Sequence, residues 1–163
     1  MFYRRYVFQR EKGGAKVGKT RRGKGTKLMV LVDGKGAPVG LHVDSASPSE
    51  MKLALPTLET VKLAGATPEY LVGDRGYDSN ALRRALLRKG IRPVFPARSC
   101  SKHALCQDGR GLRRYNKRWI VERTNAWLQN FRRLVVRYEH SAEIFTALVY
   151  MACAMILIRK VSG

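Results

Sequence analysis

Carboxylates are scarce in this chain of 163 residues: twelve Asp and Glu stand against thirty-two Lys and Arg, a formal net charge of +20 at pH 7. A deficit of that size points to a polyanionic partner, namely DNA, RNA or an acidic membrane surface. Cysteine is scarce too. Three cysteines, an odd number without a framework spacing, argue against a stapled secreted module and for a reducing compartment, with the cytoplasm as the default. The first ten residues contain no uninterrupted apolar stretch, so they do not read as a signal peptide. The one long hydrophobic run, from Ile144 to Ile158, is shorter than the ~20 residues a bilayer span needs and reads as a core helix, so no membrane is expected. There is neither an internal repeat nor a linker long enough to split the chain.

What is present supports one folded unit over residues 1–163. The apolar share of 45% is enough for a core, and the length suits a single domain. Residues 9–27, rich in Gly, Lys and Arg, read as a loop. Leu28 to Val32, the turn Asp33-Gly34-Lys35-Gly36 and Ala37 to Val43 read as a β-hairpin. Ser47-Pro48-Ser49-Glu50 opens a helix through Met51, Leu55 and Leu58, with a break or kink expected at Pro56. Tyr70-Leu71-Val72 reads as a buried strand. A helix capped by Asp78 or Ser79 follows, carrying Leu82, Leu86 and Leu87, and Gly90 ends it. Ile91 to Phe95 is a further strand, and 97–111 a basic loop. A long helix is predicted from about Leu112 to Arg133, with Ile120, Thr124, Trp127, Leu128 and Phe131 on its apolar face. A last helix over about 141–160, apolar nearly all round, is expected to be central. The order predicts a mixed α/β fold.

Two carboxylates stand out against the basic background. Asp74 follows a strand in a Gly-flanked turn, and α/β sheets hold ligands at the carboxyl ends of their strands. Asp78 is better placed to cap the next helix, which leaves Asp74 for another task. Glu122 shares one helical stripe with Tyr115, Arg118, Asn125 and Gln129. It reads either as the i, i+4 ion-pair partner of Arg118 or as a metal ligand beside phosphate-binding arginines. Cys100-x2-His103-x2-Cys106 has irregular spacing for a metal site. Gly18-x4-Gly23-Lys24 is followed by Gly25 where a phosphate-binding loop needs Ser or Thr.

Val72-Gly73-Asp74-Arg75-Gly76-Tyr77-Asp78-Ser79 resembles the second-aspartate motif of DDE transposases from bacterial insertion sequences. Tyr115-x2-Arg118-x3-Glu122 is similar to the Y-x2-R-x3-E signature around the glutamate of that family, in its insertion-sequence-five-like branch. The resemblance spans roughly residues 12–161. It implies an RNase H-like fold, a mixed β-sheet flanked by helices, and cleavage and strand transfer of DNA at element ends dependent on Mg2+ or Mn2+. Asp74 and Glu122 would be catalytic metal ligands. Such chemistry needs hard carboxylate oxygens to hold two divalent ions. Basic residues cluster at 4–27 and 98–137, and Lys16, Lys19, Arg21, Arg22, Lys24, Lys27, Arg75, Tyr115 and Arg118 are the candidate DNA contacts.

The departure is at the start. The family carries its first aspartate on the first strand, shortly before the Lys-Gly-Gly segment, but residues 2–10 hold no acid; Glu11 falls in the loop and Asp33 in a hairpin turn. The expectation is an N-terminally truncated catalytic domain, first strand incomplete or altered, without its DNA-recognition region and weak or inactive alone. A non-catalytic DNA-binding remnant or regulator of transposition is the alternative. DNA and further copies of the chain or intact transposase are the expected partners, in a nucleoid-associated cytoplasmic setting.

Overall fold

From Leu28 to Val32 every side chain is buried, and alternation sends them into two layers. Leu28, Val30 and Val32 pack on one face of a sheet, and Met29 and Leu31 on the other. These residues belong to the central strand of a computed structural model, which describes residues 1–10, 13–20, 23–61, 67–97 and 113–162. The strands are β1 (Phe2–Gln9), β2 (Gly18–Thr20), β3 (Gly23–Val32), β4 (Pro38–Ser45), β5 (Tyr70–Val72) and β6 (Arg92–Val94). The helices are α1 (Glu50–Glu59), α2 (Asn80–Arg88), α3 (Trp119–Gln129), α4 (Arg132–Val135) and α5 (Ala142–Ser162).

β3 pairs antiparallel with β1 on one side and with β4 on the other, and the short β2 continues the β4 edge by pairing with the start of β3. β1 then pairs parallel with β5, and β5 parallel with β6. Three antiparallel strands followed by two parallel ones, in the order β4-β3-β1-β5-β6, make the fold RNase H-like, a mixed α/β sheet with helices on both faces. α1 and α2 cover the face carrying Tyr3, Met29 and Leu31; α3 and α5 cover the face carrying Phe2, Phe8, Leu28 and Val30.

Four expectations change. The Gly-Lys-Arg segment is not all loop: β3 begins at Gly23, and Gly25 stands opposite Gln9 of β1. A ready-made partner edge supplies the ladder bonds that outweigh the poor strand propensity of glycine. The long helix breaks into a 3-10 turn (Tyr115–Arg118), α3 and α4, with Phe131 extended between the last two. α5 is long and apolar enough to cross a membrane, yet it is not central. Ala142, Phe145, Val149, Ala152, Cys153 and Ile156 pack into the core, whereas Ile144, Met151, Met155 and Ile158 on the other side are exposed. α1 runs through Pro56 as one helix.

Candidate active site

The chain leaves β5 at Val72 and turns at once. Asp74 sits in extended conformation at the head of a 3-10 turn (Arg75–Tyr77), and its Oδ1 accepts the Gly76 N–H at 2.7 Å. The turn thus fixes one carboxylate oxygen, and Oδ2 makes no hydrogen bond among the described residues. Of the two candidates for the cap of α2, the position falls to Ser79 and not to Asp78. Asp74 is itself a capping residue, whereas Asp78 receives Nε and Nη2 of Arg83 at 3.0 and 2.9 Å, and Arg83 also donates to the Phe95 carbonyl. Ser79 holds the N-cap position of α2 without a side-chain hydrogen bond.

Gly76 has no Cβ to obstruct the Asp74 carboxylate, which folds back against it. A Cβ there would stand 2.8 Å from Asp74 Oδ1 and 3.8 Å from Glu50 Oε2. Glu50 is in the first turn of α1 and pairs with Arg5 of β1 at 2.7 Å. Its acid was read from the sequence only as part of a helix start; nothing in linear spacing connects residue 50 to residue 76. The Tyr77 hydroxyl is buried within reach of the Glu50 carboxylate. Burial first, and then the Glu50 charge, push the Tyr77 pKa well above its usual value.

On the opposite face, the polar stripe forms only in its first part, from the 3-10 turn into α3, and Asn125 is buried. Arg118 donates from Nη1 to the Tyr115 hydroxyl at 2.8 Å and reaches Glu122 from Nη2 at 3.0 Å, with Glu122 half exposed. The Arg118 guanidinium lies 5.2 Å from the Tyr115 ring centroid, and Arg114 stacks 3.8 Å from that of Tyr70, at the start of β5. Asp74 and Glu122 are therefore carried by elements grouped around β1: β5 is its parallel neighbour and α3 packs on it. Two residues beyond the Phe2–Val72 pair, the β1 position is Arg4 where the β5 end has Asp74; no acid lies on β1.

The basic candidates divide. Lys19 and Lys24 are exposed and directly opposite each other in the β2–β3 ladder, a like-charge pair that an anion would relieve. Arg75 is exposed beside Asp74. Lys16 instead donates to the Val43 carbonyl at 2.9 Å, and Lys27 is buried with its ammonium on the Pro48 carbonyl. Burial first, and Arg5 second, hold the Lys27 pKa below the usual lysine range. The surface placement expected for Lys27 is thus corrected: alternation in a strand buried on both faces turns it inward. Arg21 and Arg22 lie outside the described residues, as do Glu11, Cys100, His103 and Cys106. Asp33 is a turn residue, its Oδ1 accepting the N–H groups of Lys35 and Ala37.

Residues 5–157 match a family model described as transposase DDE domain. The chain is 36% identical over 139 residues to a Burkholderia cepacia protein whose name describes a transposase for insertion sequence element IS402. The alignment covers 81% of this chain and 62% of that protein, so the chain spans about three fifths of the length of the curated relative it matches. No solved structure matches it.

Proposed function

The chain belongs to the transposase DDE domain family, and from that premise we propose that it is the catalytic-domain portion of an insertion-sequence transposase, acting on DNA by metal-dependent cleavage and strand transfer at element ends. What supports the reading is that the Asp74 turn at the carboxyl end of β5 and the Tyr115–Arg118–Glu122 chain, which runs from the 3-10 turn into α3, are carried by elements that each contact β1. The site residues fit Mg2+ or Mn2+ by the chemistry of their donors, which are hard carboxylate oxygens. Such ions, when bound, polarise the scissile phosphate and stabilise the leaving oxygen.

The chain's own residues do the rest. The Gly76 N–H holds Asp74 in one orientation, so its free oxygen is presented without a reorganisation cost. Arg118, braced by Tyr115, orients Glu122 and keeps a positive charge where a phosphate would lie. Lys19, Lys24 and Arg75 offer backbone contacts to DNA, and Arg21 and Arg22 extend the same stretch. Lys16 and Lys27 serve the fold, through the Val43 and Pro48 carbonyls. Further copies of the chain, or intact transposase, belong to this reading as partners, in a nucleoid-associated cytoplasmic setting.

A second reading, a non-catalytic DNA-binding remnant that regulates transposition, is favoured by one observation: β1 carries Arg4 and no acid. One experiment separates the two. Labelled, pre-cleaved element ends are offered to the purified chain with Mn2+, beside Asp74→Ala and Glu122→Ala. The expected outcome is weak strand joining that both variants abolish, on top of DNA binding that weakens steeply with salt. Absence of joining with salt-sensitive binding intact in all three proteins would leave only the remnant.

A further inference from the structure

α5 is out of keeping with a chain of net charge +20, because no charged residue interrupts it from Ile144 to Ile158. One stripe of the helix, through Phe145, Val149, Ala152 and Ile156, is buried in the core. A second apolar stripe runs along the far side. Ile144, Ala147, Met151, Ala154, Ile158 and Val161 recur at alternating steps of three and four, the heptad spacing of a helix that packs on another helix. All of them are exposed, Met151 and Ile158 at 63% each. A helix that only covers a core is polar on its outer side, and an uncovered apolar patch marks a contact surface. The stripe itself shows what fits on it. Bulky residues (Ile144, Met151, Ile158) hold one heptad position and smaller ones (Ala147, Ala154, Val161) the other. Laid antiparallel on a second copy, the stripe meets itself in a single register. Ile158 falls opposite the second copy's Ala147, Met151 opposite its Ala154, and Ile144 opposite its Val161, so each bulky side chain meets a smaller one, and the two-fold axis repeats every contact. The end charges select the direction. Glu143 is in the first turn and Arg159 and Lys160 are in the last. Antiparallel pairing sets the acidic end of one helix beside the basic end of the other, whereas parallel pairing would bring like charges together. A lipid surface, having no side chains to interlock, would need no such alternation.

We propose that α5 is the self-association helix of this chain, its exposed stripe pairing antiparallel with the same stripe of a second copy. The proposal rests on the part of the reading above that makes further copies partners, and gives them a surface; it does not depend on Asp74 or Glu122. The alanines let the two helix axes approach closely. Two chains of this charge repel each other, so salt that screens the repulsion tightens the pairing, the reverse of its effect on DNA binding.

The test is sedimentation equilibrium of the full chain, without DNA or metal, at low and at high salt, for the native sequence, Met151→Glu and Ile158→Glu. The native chain is expected to form a reversible dimer that tightens with salt. Each glutamate is expected to raise the dissociation constant about tenfold or more, with the urea midpoint of the monomer unchanged, since both side chains are exposed. The register is read by crosslinking single cysteines in a Cys100→Ser, Cys106→Ser background. Ala147→Cys mixed with Ile158→Cys is expected to give the mixed crosslink, and neither is expected to link to itself. A native chain that stays monomeric, a dimer that survives both glutamates, or Ile158→Cys linked to itself overturns the proposal. A monomer that binds neutral phosphatidylcholine vesicles overturns it in favour of lipid. None of these outcomes bears on strand joining, so the catalytic reading stands or falls by its own assay.

Discussion

Arg137 has the largest side chain among those fully buried, at 1% exposure. Its guanidinium donates to Thr26 Oγ1 at 2.6 Å and to the Glu139 and His140 carbonyls at 3.0 and 3.1 Å, and it lies over the Phe145 ring. Burial first, and the neighbouring Arg10 second, lower its pKa. Arg137→Met would remove the donor to Thr26 Oγ1 and to the His140 carbonyl and leave the Glu139 carbonyl to Arg10 alone, and is expected to cost about 3 kcal/mol in urea unfolding; a loss under about 1 kcal/mol would show that water replaces the guanidinium. In the sequence this arginine is one of the basic residues of 98–137 taken for a DNA-facing cluster. Charge type was legible there and direction was not, because residues 136 and 137 leave the helical periodicity and join the end of β1 through Gln9. Asp74 and Glu122 were legible for the opposite reason. Each lies in a short motif whose local geometry, a tight turn or an i, i+4 pair, needs no distant contact to form.

At the scale of elements, the Gly-rich stretch carries the sharpest constraint. A Cβ on Gly25 would stand 2.6 Å from the Phe8 carbonyl oxygen and 3.0 Å from Val7 Cγ1, across the β1–β3 ladder. Gly25→Ala is expected to destabilise by about 1–3 kcal/mol, the cost of overpacking, measured by denaturant midpoint. A neutral result would mean that this end of the ladder frays in solution. The sequence could not reveal this, since a glycine that permits a turn and one that permits close strand contact look alike. α5 teaches the converse. Its composition announces a helix but not how much of it is covered: the sheet and α3 bury one stripe, and nothing among the described residues lies over Met151 or Ile158. Pro56 belongs here too. A break or kink was expected; no break occurs, and packing of Leu53, Ala54, Thr57 and Leu58 against the sheet keeps α1 continuous.

The molecule as a whole should lose stability in alkali. Burial pushes the Cys153 thiol up to about 12 and raises the Tyr3 and Tyr77 hydroxyls above their ordinary values. A raised acid pKa stabilises the fold fully below the unfolded value and loses that contribution as pH climbs toward the folded one. The unfolded Cys153 begins to ionise near 9 and the tyrosines near 10, so stability is expected to fall from about pH 9 upward, by about 1.4 kcal/mol per pH unit for each group. Lys27, lowered by burial, works the other way, since its cost is relieved as pH rises through its folded pKa toward 10.5. Urea midpoints at pH 8, 9, 10 and 11 check the balance, and a flat profile would show that these hydroxyls and the thiol are open to solvent.

Local chemistry alone determined the basic character, the two carboxylate motifs, the β-hairpin, α2 and the β5 strand, because each depends on residues a few positions apart whose propensities agree. Only the tertiary structure decided which strands are neighbours, that Lys27 and Arg137 turn inward, and that α5 shows an uncovered side. These depend on contacts between residues tens of positions apart, whose formation is decided by burial over the whole sheet and leaves no period in the sequence.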